Sequence, residues 1–270
     1  MSVSSNIPYD NRALLALAVE VVAEAAEIVR SIRHKGFETA IKADSSPVTE
    51  ADQASEKHIL QRLRKACPDI AAIAEEENAA GVQIQPGDTY WLIDPLDGTK
   101  GFAKGGDDFA INIGLIHNHR PVLGAVALPA FFQIYGGGKG LGAFRRDPDG
   151  QHIIHTSPPP SDGLRVLASS HHGSEVLLQR WLSGRSIRSI QRMGSAAKLV
   201  RVAEGNADFY PRFGPTMEWD TAAPHAILEE AGGCLYDENG HVMRYGKKGW
   251  KNPPFYCTGY IETEKLNTPS

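Results

Sequence analysis

Cysteine is scarce in this chain: Cys67, Cys234 and Cys257 are the only three among 270 residues. An odd number without the paired spacing of a thiolate metal site excludes a disulfide framework and predicts buried free thiols in a reducing compartment. Long apolar runs are missing as well. No stretch approaches the roughly 20 consecutive apolar residues that span a bilayer, and residues 1–6 lack a basic start followed by an apolar run. The expectation is a cytoplasmic protein with no integral membrane segment. Basic charge is not in excess either. A formal net charge of −4 argues against a nucleic acid polymer as partner, because phosphate backbones demand a broad basic face. A small anionic substrate remains compatible, since a bound metal and a few local cations override the net charge of the protein. Internal repeats and long low-complexity tracts are also absent.

What is present suffices for a large core, at 41% apolar residues, in one big domain or two closely packed halves. Asp10 is placed to cap a helix in which Leu14, Leu17, Val21 and Ile28 recur near helical spacing. A second helix should begin near Thr49, carry Ile59, Leu60 and Leu63, and stop before Pro68. Short strands are expected at residues 70–74 and 90–93. Apolar runs at residues 110–116, 122–128, 133–135 and 142–144, punctuated by Gly and Pro, predict an antiparallel meander. Residues 145–163, with three consecutive prolines, are the best internal boundary. Beyond them strands and helices alternate: 164–168, 175–182, 187–190, 195–204, 207–210 and 221–231, which predicts an α/β layer. If two halves form, they are expected over residues 1–157, α+β in character, and residues 158–270, α/β.

The most informative segment is Trp91-Leu92-Ile93-Asp94-Pro95-Leu96-Asp97-Gly98-Thr99, an apolar strand running into two carboxylates, a glycine and a hydroxyl. Asp94 and Asp97 are hard oxygen donors suited to Mg²⁺ or Mn²⁺, and the Gly98 and Thr99 amides face a phosphate if a helix starts there. The plain alternative is a turn built from Asp, Pro and Gly. Two further acidic clusters weigh against it. Glu75-Glu76-Glu77 follows an apolar run, so its first carboxylate leaves a strand end. Asp220, in Glu218-Trp219-Asp220-Thr221, sits where a helix start would accept its carboxylate. Asp52 lies three residues after Thr49, close to a capping box. Pro224 is expected in the first turn of the Asp220 helix, where a missing N–H is tolerated. The glycine-rich run at residues 136–142 lacks the Gly-Lys-Ser/Thr ending of a phosphate loop, so turns and close strand packing explain it better. His117 and His119 are expected to flank a hairpin, and Lys247, Lys248 and Lys251 to lie on a solvated loop.

In order and local wording these clusters resemble the Mg²⁺-dependent, Li⁺-sensitive inositol monophosphatase superfamily, over nearly the whole chain. Asp94-Pro95-Leu96-Asp97-Gly98-Thr99 is similar to its first signature, Trp219-Asp220-Thr221-Ala222-Ala223 to its second, and Ile73-Ala74-Glu75-Glu76 to its glutamate motif. Within it the wording is most similar to the 3′(2′),5′-bisphosphate nucleotidases of the bacterial CysQ type. That similarity rests on residues 42–52, on Asp97-Gly98-Thr99-Lys100-Gly101-Phe102, and on residues 202–216, which include Tyr210-Pro211-Arg212-Phe213-Gly214-Pro215. One departure is Pro224, where those nucleotidases usually carry glycine.

The resemblance implies a layered αβαβα sandwich and a phosphatase that removes the 3′-phosphate of adenosine 3′,5′-bisphosphate, a by-product of sulfate assimilation. It implies two or three Mg²⁺ ions, with Mn²⁺ as the alternative. Glu75, Asp94 and the Leu96 carbonyl would hold one ion, and Asp94, Asp97 and Asp220 a second. Thr99 and Asp52 would orient and deprotonate the attacking water, and the Gly98 and Thr99 amides would hold phosphate oxygens. Ser195 and Lys198 would lie near the second phosphate or ribose, with Arg212 as a further anion partner. His171 or its neighbour His172 would meet the nucleotide. For Lys198 the plain alternative is a solvated helix lysine. Superfamily members often dimerise, so a homodimer is among the expected assemblies. Competing functions are an inositol monophosphatase or broad sugar-phosphate phosphatase with the same metals, and a regulatory binding protein of the same fold.

Overall fold

The computed structural model describes residues 10–41, 47–170 and 174–260. The first helix, α1 (Asn11–Lys35), is capped by the Asp10 side chain accepting from the Arg12 amide at 2.9 Å. Its buried residues, Leu14, Leu15, Ala18, Val19, Val21, Val22, Ala25, Ala26 and Val29, recur at three and four positions and make one apolar stripe. A short hairpin, β1 (Thr39–Ile41) and β2 (Pro47–Thr49), leads into α2 (Glu50–Ala66). Here Thr49 and Asp52 form the expected capping box, which typically contributes about 1 kcal/mol.

Seven strands follow: β3 (Ala71–Ala74), β4 (Thr89–Asp97), β5 (Ala110–His117), β6 (Arg120–Leu128), β7 (Gln133–Gly138), β8 (Gly142–Asp147) and β9 (Gly150–Ile153). They form one sheet in chain order, β3 parallel to β4 and the rest antiparallel. The meander is as predicted, and Asn118 and His119 make its two-residue turn with positive φ. Strand β9 lies inside the stretch expected to be a linker. Two short helices, α3 (Glu75–Ala79) and α4 (Thr99–Phe102), leave the ends of β3 and β4.

The second sheet comprises β10 (Leu164–Ser169), β11 (Ile187–Met193), β12 (Phe209–Arg212), β13 (Cys234–Asp237) and β14 (Phe255–Thr258), in the order β11-β10-β12-β14-β13. Its helices are α5 (Glu175–Leu182), α6 (Ala197–Ala203) and α7 (Glu218–Glu230). Three apolar cores hold the layers together. One lies between α1, α2 and the first sheet, and another between that sheet, α6 and α7, and the second sheet. A small outer one joins α5 to the far face. The result is the αβαβα sandwich. Cys67, Cys234 and Cys257 are free and buried, and no helix among the described residues is long and apolar enough to cross a membrane.

Helix α7 comes late in the chain yet packs on the first sheet. Gly114 and Gly124 face each other across β5 and β6, and a Cβ at Gly124 would stand 2.2 Å from the Ala223 carbonyl oxygen. Only bare glycine lets the helix backbone rest on the strands, one turn beyond Asp220. The expectation for Pro224 is corrected. The helix starts at Glu218, so Pro224 is its seventh residue, beyond the first turn, and the Asp220 carbonyl loses its usual intrahelical donor.

Candidate active site

The candidate residues converge where the ends of β3 and β4 meet α6, α7 and β12. Strand β4 is an interior strand, paired on both sides and buried along most of its length, in keeping with its continuous apolar run. A register irregularity between Asp94 and Asp97 breaks its pairing with β5. Gly98 then adopts φ +92°, a left-handed conformation that costs other residues about 1–2 kcal/mol. A Cβ there would also stand 2.8 Å from the Asp108 carbonyl. The chain thereby turns sharply from strand into α4.

A cavity of about 880 Å³ opens at this point, lined by Glu75, Asp94, Leu96, Asp97, Gly98, Thr99, Ser195, Lys198, Arg212 and Asp220. Asp52 stands behind Thr99. Its Oδ1 accepts from the Thr99 hydroxyl at 2.8 Å, and its Oδ2 accepts from the Thr49 amide and hydroxyl at 2.7 and 2.6 Å. The Thr99 hydroxyl is also 2.8 Å from the Leu96 carbonyl. His171 lies outside the described residues.

Asp94, Asp97 and Asp220 are each anchored through one oxygen. Asp94 accepts from the Leu96 amide at 3.0 Å, Asp220 from the Met217 amide at 2.9 Å, and Asp97 from the Ala196 amide. Asp220 is thus the third residue of its helix, bonded back to the residue before the helix, rather than the cap itself. Burial pushes the Asp94 carboxyl well above the usual range, and repulsion from Glu75, Asp97 and Asp220 pushes it further. Asp220 is raised well above its ordinary value by burial first and then by Asp97 and Glu75. Asp97 is raised by burial, opposed by Lys198 and the Ala196 amide. Asp52 is raised by burial against the pull of its Thr49 and Thr99 hydrogen bonds.

No three His, Cys, Asp or Glu side chains among the described residues already close around one point as a finished ligand set. What the four carboxylates share is one cavity and mutual repulsion. All are hard oxygen donors, each Asp has only one oxygen committed to an amide, and their crowded charge is relieved by a cation. This donor set fits Mg²⁺ or Mn²⁺ and suits neither soft metals nor thiolate chemistry.

A second wall, next to Asp97, is cationic. Lys198 is 3% exposed, not the solvated helix lysine of the alternative reading. Its ammonium donates to the Ser195 carbonyl at 2.6 Å and the Met193 carbonyl at 3.3 Å, and lies over the Tyr210 ring. Burial lowers it to about 8, against the favourable charge of Asp97. Ser195 takes φ +49°, and this braced turn points the Ala196 amide at Asp97. Arg212 donates to the Ser169 hydroxyl at 2.9 Å and the Pro215 carbonyl at 3.0 Å. Its Nε is buried without a partner among the described residues.

Sequence reasoning missed Asp108, which lines the cavity and accepts from the Gly194 amide at 3.0 Å. Nothing in its local sequence separates it from an exposed loop aspartate. The glycines at residues 136–142 do serve close packing: a Cβ on Gly136 would stand 2.5 Å from the Phe144 ring. Lys247 is no loose loop cation, since it pairs with the buried Glu218 at 2.7 Å.

Known proteins resemble this chain over most of its length. Residues 10–266 match the inositol monophosphatase family. The 3′(2′),5′-bisphosphate nucleotidase CysQ of Salmonella typhimurium is 40% identical over 229 residues, 84% of this chain and 91% of that protein. Its counterpart in Escherichia coli K12 is 37% identical over the same shares. Among solved structures, CysQ from Bacteroides thetaiotaomicron, described as a bacterial member of the inositol monophosphatase family, superposes with a TM-score of 0.80 at 29% identity. It covers 93% of this chain and 99% of its own. The inositol monophosphatase of Anabaena gives 0.72 at 26%, covering 92% of this chain and 91% of its own. With its carboxylate-lined strand ends, its five layers and a match across nearly its whole length, the chain belongs to the inositol monophosphatase family.

Proposed function

We propose that this protein hydrolyses the 3′-phosphate of adenosine 3′,5′-bisphosphate to AMP and phosphate, with Mg²⁺. The observation that carries this reading is the presence, in one cavity, of a carboxylate cluster and two buried cations, Lys198 and Arg212. A phosphate monoester requires only the first. A buried ammonium and a buried guanidinium with an idle N–H are costly to desolvate and suit a ligand bearing a second anionic group. The nucleotidase relatives support the same substrate class. An inositol phosphate offers a neutral ring to that wall.

Glu75, Asp94 and the Leu96 carbonyl would hold one Mg²⁺, and Asp94, Asp97 and Asp220 another. When bound, Mg²⁺ supplies positive charge to the phosphoryl oxygens and acidifies water. The protein's own part is positioning. Thr99 donates its single hydroxyl proton to Asp52, which leaves its lone pairs to accept from a water lined up on phosphorus. Asp52, whose burial raises its proton affinity, takes the proton through that hydroxyl. The amides entering α4 have no intrahelical acceptor, so Gly98, its cap, and Thr99 would present donors to the phosphate. Lys198 spends two of its three N–H bonds on carbonyls, and the third, with Arg212 Nε, would hold the second phosphate. Ser195 frames the space between. Water attacks phosphorus directly, so no protein nucleophile is required. Three buried free thiols suit a reducing cytoplasm as the place of action.

Phosphorus NMR of the reaction tests which ester is cut. Retention of the 5′-phosphate as AMP is expected; accumulation of the 3′-monophosphate would overturn the assignment of the two walls.

A further inference from the structure

The buried face of α2 comprises Ala51, Asp52, Ser55, Glu56, Ile59, Leu60 and Leu63. Its spacing is that of a packing helix, yet its first half is polar. Asp52, Ser55 and Glu56 are 1%, 0% and 4% exposed, and each reaches a different segment of the carboxylate wall. Asp52 meets Thr99. Ser55 Oγ donates to the Pro95 carbonyl at 2.8 Å, between Asp94 and Asp97. Glu56 accepts from the Glu76 amide at 2.7 Å through Oε2 and from the Glu77 amide at 2.8 Å through Oε1.

The Glu56 contact has a clear geometric meaning. Helix α3 begins straight after Ala74, which offers no side-chain cap. Its first amides need acceptors, and Glu56 supplies both from another helix. Two oxygens on two successive amides fix the rotation of that turn as well as its position, and Glu75 is its first residue. The arrangement is expensive. Glu56 is buried without a bonded cation, since the nearby Arg64 pairs with Glu77 instead, and burial pushes its carboxyl up to about 7 in spite of the two amides. An apolar side chain in the same place would avoid burying a carboxylate but would leave both amides without an acceptor. A residue that costs stability while clamping a candidate ligand's helix is explained by the clamp.

We propose that Glu56, with Ser55 as its lesser partner, positions the metal ligands: Glu56 holds the turn that carries Glu75, and Ser55 holds the Asp94–Asp97 step at Pro95. This rests on the metal site proposed above. The test is Mn²⁺ binding to the full chain without substrate, followed by electron paramagnetic resonance of the free ion, alongside thermal unfolding and phosphate release. Glu56→Gln keeps the shape but turns an N–H toward an amide. It should weaken Mn²⁺ binding about 10-fold, the scale on which groups supporting metal ligands act, with KM for substrate at saturating metal unchanged. Ser55→Ala should weaken binding about threefold, as one neutral hydrogen bond does. Ile59→Val, buried on the same helix but touching no ligand segment, should lower Tm by a few degrees and leave Mn²⁺ affinity at the wild-type value.

A folded Glu56→Gln protein with wild-type Mn²⁺ affinity would overturn the proposal. Should that variant not fold, Ser55→Ala decides: weaker binding supports the positioning face, and unchanged binding overturns it. Wild-type protein that neither binds Mn²⁺ nor releases phosphate would overturn the metal site itself, so the two failures are distinct.

Discussion

The two walls of the cavity are built on opposite electrostatic principles. On one side Glu75, Asp94, Asp97 and Asp220 crowd like charges together, and burial with mutual repulsion drives Asp94 and Asp220 well above their ordinary values. On the other, Lys198 and Arg212 are individually tied to carbonyls and a hydroxyl, with a donor to spare. The first wall is electrostatically unfinished until a cation arrives; the second is nearly complete and lacks only an anion. On the function proposed above, chemistry belongs to the carboxylate wall and recognition to the cationic one.

The sharpest way to break this division is Asp97→Asn. It removes one candidate ligand while keeping the shape, so kcat should fall by roughly 10²–10³-fold, the cost of losing a key charge at a reacting phosphate. The loss should be equal for mono- and bisphosphate substrates and Tm should be little changed. Full hydrolysis by the variant would remove Asp97 from the chemistry, and loss of hydrolysis with a retained cellular phenotype would favour a regulatory binding role. Lys198→Ala should do the reverse, raising KM for adenosine 3′,5′-bisphosphate about tenfold, or ~1.4 kcal/mol, while KM for p-nitrophenyl phosphate barely moves. Because Lys198 is lowered to about 8, wild-type affinity for the bisphosphate should also weaken as pH rises through that value. An equal effect on both substrates would count against the recognition role.

The smallest effect concerns stability without metal. Asp94, Asp220 and Glu56 have folded-state pKa values above their unfolded ones. The folded chain therefore holds more protons in that window, and stability falls as pH rises. In EDTA, Tm should climb by a few degrees as pH drops from about 8 to about 6.5, the unperturbed histidine value. Within that window Lys198, lowered to about 8, works against the three carboxylates, and below it charging of the buried His225, whose pKa is lowered, opposes the trend as well. Mg²⁺ should raise Tm most at the higher pH. A flat profile in EDTA would mean that the carboxylates are not in conflict.

Much of the carboxylate wall was legible in the sequence because Glu75, Asp94 and Asp97 sit in short contiguous runs at the ends of apolar strands. The antiparallel meander and the layered fold were equally legible from periodicity and punctuation. The helix start at Glu218 was not, and this misplaced Pro224. It depends on a capping box closed by the Met217 amide rather than by a polar cap residue. The burial of Lys198 depends on a turn held by Ser195 at positive φ, which no serine advertises. Ser55 and Glu56 carried a readable signal, polar residues at helical spacing from Asp52 where apolar ones belong. Their partners, the Pro95 carbonyl and the amides of Glu76 and Glu77, exist only once the sheet has formed.

The most direct single measurement is phosphate release from adenosine 3′,5′-bisphosphate and inositol 1-phosphate, side by side, in Mg²⁺ with and without EDTA. Two complementary walls predict metal-dependent hydrolysis that clearly favours the nucleotide. Preference for the inositol phosphate, or release that persists in EDTA, would contradict them.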